Sequence, residues 1–146
     1  MAPPIRFENL KRPALNTPLS EIEVEGVRLD LHHQLRMVGL TFGLEPTAAT
    51  LGWAATGRLM VIRRGRALPI SGLALHFVEL SRFEVAFAAE PPGQLEYLEV
   101  RSEPDPELLF FFEAGTIRIG CAFCRAELVT DADEEEGIEP PPGLLQ

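Results

Sequence analysis

Apolar and polar residues alternate twice between Ser71 and Phe87, and this stretch forms the centre of the predicted fold. The apolar members of the alternation are Leu73, Leu75, Phe77, Phe83, Val85 and Phe87. A period of two is typical of half-buried β-strands. The polar break between the two runs, Glu79 to Arg82, is short enough for a hairpin or a bulge. The pattern therefore predicts two strands at the centre of the core.

Shorter runs of the same kind precede and follow the central stretch. They lie at Ile22 to Val24, Val27 to Leu31, Leu35 to Leu44, Arg58 to Ala67, Leu95 to Val100, Leu108 to Phe112 and Ile117 to Leu128. Turn signals rich in glycine and proline separate the runs about every eight to twelve residues. Strands that follow one another without intervening helices pair antiparallel. The sequence therefore predicts an all-β fold of about eight strands, as an antiparallel sandwich, a curved sheet or a partly closed barrel.

One segment, Glu45 to Gly57, is predicted to be a short helix, and it is the only helix that the pattern allows. Pro46 suits the first position of a helix, and Gly57 suits the position after its last turn. Trp53, the sole tryptophan, falls within this segment. Its large ring favours a position that closes one end of the core, and the alternative is an exposed anchor for a partner.

The chain of 146 residues has the length of one domain, and 46% of its residues are apolar, which is enough for a buried core. Prolines recur through residues 1–20, which are predicted to be an extended arm that lies on the surface of the domain. Residues 21–129 are predicted to be the β domain, and residues 130–146 an acidic, proline-rich tail. No apolar run reaches the roughly eighteen residues of a transmembrane helix, and no signal-peptide pattern is present. We therefore expect a cytoplasmic protein that does not enter membranes.

Charge is distributed unevenly along the chain. Met1 to Val78 carries nine basic and six acidic residues, a net of +3. Glu79 to Gln146 carries four basic and sixteen acidic residues, a net of −12, and the sum is the net charge of −9. An acidic half repels phosphate backbones and attracts cationic partners. The sequence thus argues against direct nucleic-acid binding. A basic protein partner is one interpretation of the charge, and solubility alone is the other.

Residues with catalytic or metal-binding potential form no recognisable motif. Cys121 and Cys124 have the spacing of a CxxC motif, but they lie in an alternating strand and not at a helix N-terminus, where redox pairs lie. A zinc site would need further ligands. We interpret both thiols as buried and inert, with metal binding and redox activity as the alternatives. His76 is predicted to face away from the core, exposed or toward a partner, and a general base is the alternative. We expect no enzymatic activity, no cofactor and no metal.

The central stretch has a distinctive apolar spacing, Leu73-x-Leu75-x-Phe77-x-x-Leu80-x-x-Phe83-x-Val85. This spacing resembles small all-β bacterial immunity proteins, the neutralising partners of polymorphic and contact-delivered toxins. The runs before and after it stand in a compatible order, so the resemblance extends from Ile22 to Leu128. Such proteins are cytoplasmic and non-enzymatic, and many are acidic because the toxins that they block are basic nucleases. The resemblance implies the same role here. It carries over no functional residue, because its positions belong to the core.

Acidic residues of the second half, together with two further side chains, are the predicted partner-binding residues. They are Glu79, Glu84, Glu96, Glu99, Glu103, Asp105, Glu107, Glu113, Trp53 and His76. The carboxylates would mimic phosphate groups against a cationic toxin surface. Two other functions stay open. One is a structural or adaptor subunit of a bacterial secretion or phage assembly, self-associating through an edge strand such as Leu108 to Phe112. The other is a barrel that holds a small ligand.

Overall fold

One sheet of eight strands dominates the computed structural model, which describes residues 3–44 and 47–130. These residues form ten strands and no helix, which confirms the all-β class. The strands are β1 (Arg6–Glu8), β2 (Glu21–Val24), β3 (Val27–Asp30), β4 (Leu35–Leu44), β5 (Thr47–Ala55), β6 (Met60–Arg63), β7 (Arg66–Phe87), β8 (Leu95–Arg101), β9 (Glu107–Phe112) and β10 (Gly115–Thr130).

The main sheet has the strand order β4-β5-β7-β10-β9-β8, and all neighbours along this path are antiparallel. β6 pairs with the beginning of β7, and β1 lies parallel to β10. β2 and β3 form a separate hairpin. The path ends at β4 on one side and at β8 on the other. The sheet therefore does not close on itself, and the barrel among the predicted architectures is not formed.

The central stretch is one continuous strand of 22 residues, which corrects the prediction of two strands. β10 pairs with β7 on both sides of the polar break and supplies backbone partners throughout. At the break, Gly120 opposes Arg82 and Cys121 opposes Leu80, so Ser81 is an extra residue in β7. Glu79 adopts a positive φ of 57°. Of the two predicted alternatives, the break is a bulge, and the long strands bend there.

The bulge divides the sheet into two halves that pack against each other. The β5 half contains β4, β5, β7 as far as Val78, and the end of β10. The β9 half contains β8, β9, the end of β7, and the beginning of β10. The ring centroid of Phe110 in the β9 half lies 6.3 Å from that of Trp53 and 6.1 Å from that of Phe77 in the β5 half. A sharply curved sheet thus encloses a single core.

The predicted helix at Glu45 to Gly57 is wrong, because Thr47–Ala55 is strand β5. Glu45 and Pro46 lie outside the described residues. β5 pairs with β4 on one side and with β7 on the other, and buries Ala49, Leu51 and Trp53 on one face. Backbone pairing on both sides outweighs the weak helical preference of an alanine-rich segment.

The buried positions of β10 change phase near the bulge in β7. Ile117, Ile119 and Cys121 are buried before it, and Cys124, Ala126 and Leu128 after it. The extra residue in β7 shifts the partners by one, so Phe77 opposes Cys124. The alternation predicted for Ile117 to Leu128 is therefore not continuous. Phe123 is half-buried on the other face, where the Arg6 guanidinium lies 5.8 Å from the centroid of its ring.

Residues 3–20 run along the sheet and pair with it at several points. β1 pairs with Phe123 to Arg125 of β10, and Ile5 is buried in the core. Leu15 and Leu19 form bridges to β8. At the other end of the chain, β10 continues to the buried Thr130, whereas residues 131–146, most of the predicted tail, lie outside the described part.

Candidate protein-binding site

Four of the eight predicted carboxylates are exposed and make no ion pair with the described residues. They are Glu79, Glu96, Glu103 and Asp105. Glu79 lies at the bulge of β7, Glu96 near the beginning of β8, and the other two in the turn that joins β8 to β9. Carboxylates without a cation of their own are the ones that can bind an external cation without first breaking an existing ion pair.

Three other predicted carboxylates are exposed or half-buried but already hold partners. Glu84 pairs with Arg82 at 3.2 Å, and Glu99 pairs with Arg101 at 2.8 Å. Glu113 accepts a hydrogen bond of 2.7 Å from the backbone N–H of Gln94. These contacts reduce the charge that a partner would meet.

Glu107 is buried, with 4% of its surface exposed, so its predicted place on the binding surface is wrong. Its Oε2 accepts a hydrogen bond of 3.1 Å from Arg82, and its Oε1 one of 2.7 Å from Arg118. A buried carboxylate needs such cations, because water no longer stabilises its charge. Glu107 therefore joins β7, β10 and β9 on the outer face of the β9 half.

The structure brings Glu79, Glu103 and Asp105 to one end of the β9 half, and we call these three residues the acidic corner. Glu79 and Asp105 line the same cavity, of about 360 Å³. Glu103 lines an adjoining cavity, and Pro106 contributes to the walls of both. Three carboxylates that make no ion pair with the described residues thus line two cavities that share Pro106.

The cavity beside Glu103 has a volume of about 300 Å³ and lies between the N-terminal segment and the end of β8. Its apolar walls include Ile5, Phe7, Leu15 and Val100. A volume of about 300 Å³ lies at the lower end of the range for ligand pockets. Its lining also includes Glu103 and two arginines, Arg12 and Arg101, so charged groups of both signs lie beside the apolar walls. An apolar centre with a polar rim is the usual composition of a protein-binding site. Sequence reasoning missed this recess, because its walls come from separate parts of the chain.

Glu96 does not belong to the acidic corner. It lies near the beginning of β8, whereas Glu103 follows the end of that strand. At about 3.4 Å per residue, the seven positions between them span roughly 24 Å. The predicted acidic surface is therefore not one continuous site, and Glu96 is useful as a distant control position.

Trp53 occupies the core, with 3% of its surface exposed, and stacks against Phe112 at a centroid distance of 6.2 Å. Of the two predicted roles, the core position is the one observed. Its predicted place among the partner-binding residues is wrong for this reason. The indole Nε1 is buried and has no hydrogen-bond partner within the described residues.

His76 lies on the outer face of the β5 half, between two polar side chains that sequence reasoning did not single out. Its Nδ1 lies 3.0 Å from the Thr50 hydroxyl, and its Nε2 lies 3.1 Å from a Glu127 carboxylate oxygen. The strand containing Thr50 is paired on both sides, so the backbone N–H groups around it are engaged in the sheet. The backbone N–H groups beside Thr50 are therefore not free to stabilise an oxyanion, as such groups do in hydrolases. The three side chains form a cross-strand hydrogen-bonded row.

Cys121 and Cys124 are both free and both buried. Burial raises the pKa of the Cys121 thiol to about 11. Burial also raises the pKa of Cys124, and the neighbouring Cys121 raises it further. Thiols with raised pKa values are poor nucleophiles at neutral pH, since the thiolate is the reactive form. In the described part of the chain, no group of three or more His, Cys, Asp or Glu residues is arranged to hold a metal.

No protein-family model matches the chain, and no curated protein or solved structure is significantly similar to it. Among the residues that the structure describes, none belongs to a helix capable of crossing a membrane.

Proposed function

We propose that this chain is a non-enzymatic cytoplasmic binding protein that neutralises a basic bacterial toxin, in the manner of an immunity protein. One observation carries the proposal. Glu79, Glu103 and Asp105 are exposed, make no ion pair with the described residues and line two adjoining cavities, of which the one beside Glu103 has apolar walls. The spacing of apolar residues in β7, which resembles that of immunity proteins, supports the same class.

Unpaired carboxylates contribute mainly to the rate and the specificity of association with a cationic surface. The acidic corner keeps its charges available, whereas Glu84 and Glu99 are already held by arginines. The adjoining recess would receive an apolar or aromatic side chain from the partner, the kind of anchor that contributes most to binding energy. Charge and recess together favour a basic protein partner.

A nuclease toxin suits this surface because its active site is built to bind phosphate groups. Carboxylates held close together present negative charge in a similar way. The nucleic acid itself would be repelled by the same surface. The protein would thus cover the cationic active site of the toxin and exclude its substrate.

The test begins with capture of partners from a lysate of the source organism on the tagged protein, followed by washes at moderate and high salt. We expect one basic protein, released as the salt concentration rises, because screening weakens exposed charge pairs. The purified partner is then titrated against the wild-type chain and against the double variant Glu103→Lys with Asp105→Lys. We expect the association rate constant to fall at least about tenfold at low salt.

The matched control is the double variant Glu90→Lys with Glu96→Lys. Both of these residues are exposed and make no ion pair in the described part of the chain, so the change in net charge is the same. We expect a much smaller effect, since neither residue belongs to the acidic corner. An equal fall in the association rate constant for both variants would mean that the net charge of the protein, and not the acidic corner, determines the rate. Full activity of the captured protein in the presence of a saturating amount of this chain would refute neutralisation.

A second candidate is a structural or adaptor subunit of a larger assembly. The edge strand predicted to mediate it, Leu108 to Phe112, is β9, which lies inside the sheet between β10 and β8. Leu108 to Phe112 is therefore not an edge strand, and that prediction is wrong. The candidate is favoured instead by the outer side of β4, with which no strand of the described part of the chain pairs. Recovery of a particle with many subunits in the capture experiment would favour it over the immunity function.

A further inference from the structure

The recess between the N-terminal segment and the end of β8 combines apolar surface with a small number of polar groups. Its volume is about 300 Å³, and its apolar walls include Ile5, Phe7, Leu15 and Val100. Leu15 remains 44% exposed, so part of this apolar surface is open to a ligand. A concave apolar site with a few polar groups is the usual composition of a small-molecule site, and the polar groups determine which class of molecule it binds.

Three charged residues of the described part of the chain line the recess, and one of them is already paired. The Nε of Arg101 donates a hydrogen bond of 2.8 Å to Glu99. Arg12 makes no ion pair with the described residues, and its Nη2 lies 3.5 Å from the backbone oxygen of Ile5, which holds the guanidinium beside the apolar wall. Glu103 is exposed and likewise makes no ion pair with them. The recess therefore presents one available cation and one available anion.

Ser102 adds an uncharged donor to the same lining. Its Oγ accepts a hydrogen bond of 3.1 Å from Nδ2 of Asn16, and its backbone N–H donates one of 3.2 Å to Oδ1 of Asn16. These two bonds join the end of β8 to the N-terminal segment and fix the position of Ser102. A hydroxyl that accepts a hydrogen bond still has its own hydrogen to donate. Ser102 can therefore donate to a carboxylate or carbonyl oxygen of a ligand.

We propose that the recess binds an apolar α-amino acid, with its side chain against the apolar walls, its carboxylate at Arg12 and its ammonium group at Glu103. A ligand with a carboxylate alone would bring a second negative charge beside Glu103, and a ligand with an amine alone would bring a second positive charge beside Arg12. A zwitterion gives each of these residues a partner of opposite sign. The volume, at the lower end of the range for ligand pockets, suits a molecule of this size.

The ligand site goes beyond the proposed toxin binding and does not rest on it. The recess is the one that would receive a side chain of the toxin, so the amino acid and the toxin would exclude each other there. Binding of the amino acid is measured on this chain alone. Its absence would leave the proposed neutralisation standing, and the absence of a toxin partner would leave the ligand site standing.

The first test titrates four small molecules against the wild-type chain, with the backbone amide shifts followed by nuclear magnetic resonance. L-phenylalanine carries both charges and an apolar body, phenethylamine lacks the carboxylate, 3-phenylpropionate lacks the amine, and glycine lacks the apolar body. We expect L-phenylalanine to bind with a Kd of about 1 mM or tighter, in keeping with its size, and to shift the amide of Ser102. The other three should bind at least about tenfold more weakly, because each loses a charged hydrogen bond or the apolar contact.

The second test removes the two charges separately. Arg12→Gln should weaken the binding of L-phenylalanine at least about tenfold, so that its preference over phenethylamine is lost. Glu103→Gln should weaken it by a similar factor and abolish the preference over 3-phenylpropionate instead. Glu96→Gln is the matched control, because Glu96 is exposed, makes no ion pair in the described part of the chain and lies near the other end of β8. It changes the net charge as Glu103→Gln does and should bind L-phenylalanine as the wild type does.

Three results would overturn the inference. The absence of a saturable shift with L-phenylalanine up to about 20 mM, well above the expected Kd, would mean that the recess is not a site for it. Equal affinity for L-phenylalanine, phenethylamine and 3-phenylpropionate would mean that the two charges take no part in recognition. Binding that neither Arg12→Gln nor Glu103→Gln weakens would place the ligand elsewhere on the protein. The circular dichroism spectrum of each variant is first compared with that of the wild type to establish that the variant is folded.

Discussion

Asp30 organises the turn that joins β3 to β4, through hydrogen bonds to the two histidines that follow it. Its Oδ1 accepts hydrogen bonds from the backbone N–H of His32 at 2.8 Å and of His33 at 3.0 Å. Its Oδ2 lies 2.9 Å from Nδ1 of His33. Burial raises the pKa of the Asp30 carboxyl, but these hydrogen bonds outweigh burial, and the net pKa is lowered.

The lowered pKa of Asp30 predicts a dependence of stability on pH. In the unfolded chain an aspartate takes up its proton near pH 4, before the folded form does. The stabilisation is therefore complete above about pH 5 and is lost as the pH falls through the folded pKa. We expect Asp30→Ala to lower the free energy of unfolding by about 1 kcal/mol at pH 7, since it removes the hydrogen bonds of the turn. The difference should shrink below about pH 4.

Urea unfolding of both proteins at pH 7, 5, 4 and 3 measures this difference. Asp30→Asn is the companion variant, because its amide oxygen can keep the two backbone hydrogen bonds while the charge is removed. It should lie between the wild type and Asp30→Ala at pH 7. A difference between wild type and Asp30→Ala that stays constant down to pH 3 would contradict the assigned role of the charge.

The sequence does not predict the burial or the ion pairs of a side chain when these depend on residues far along the chain. Glu107 resembles any other glutamate of an acidic segment, yet Arg82 and Arg118 enclose it. The burial of Trp53 was one of the two roles predicted from the sequence, because its large ring favours the core. The partners of Glu107 lie on two other strands and leave no signal near it.

At the level of elements, the contact between β5 and β7 depends on the absence of a side chain at Gly72. A Cβ atom placed there would lie 2.5 Å from the backbone oxygen of Trp53. That oxygen belongs to a central strand paired on both sides, so it has little freedom to move. The close approach of the two strands therefore requires glycine.

We expect Gly72→Ala to lower the free energy of unfolding by about 2 kcal/mol, because overpacking against rigid backbone forces the strands apart. Gly52→Ala is the matched control, since Gly52 lies on β5 and its Cβ would meet only the Gly39 oxygen at 3.9 Å. That variant should remain within about 0.5 kcal/mol of the wild type. Denaturant unfolding at a fixed protein concentration gives both values, and equal losses would argue against the close approach as the cause.

Elements whose alternation was clear could be predicted, and those whose residues fit two structures could not. β8 and β9 lie close to their predicted positions. β5 contains alanines and threonines, which suit a weak helix as well as a strand, and its pairing with β4 and β7 decides between them. The break in β7 looked like an end of a strand, but β10 pairs across it.

At the level of the whole molecule, the N-terminal segment is an integral part of the sheet. Ile5 is buried, and Phe7 packs against the core. β1 covers the side of β10 that β9 leaves free beyond Ile119. The first residues thus complete a sheet whose other strands come from the middle and the end of the chain.

Removal of residues 1–8 should lower the free energy of unfolding by about 3 kcal/mol, since it exposes the core beneath Ile5 and leaves β10 unpaired along one side. Removal of residues 1–3 is the control, because Pro3 is exposed. We expect that shorter truncation to change the free energy by less than about 0.5 kcal/mol. Thermal and urea unfolding measure both. Equal stability of the two truncated chains would mean that β1 contributes little to the fold.

The sequence by itself determined the all-β class, the central position of Ser71 to Phe87 and the division of charge between the halves. Each of these depends on consecutive residues or on composition, which a sequence displays directly. Only the tertiary structure decided that β5 is a strand, that β7 continues through its bulge, and that Glu79 lies near Asp105. These depend on backbone hydrogen bonds between segments far apart in the chain, and the alternation within one strand does not specify which strand will lie beside it.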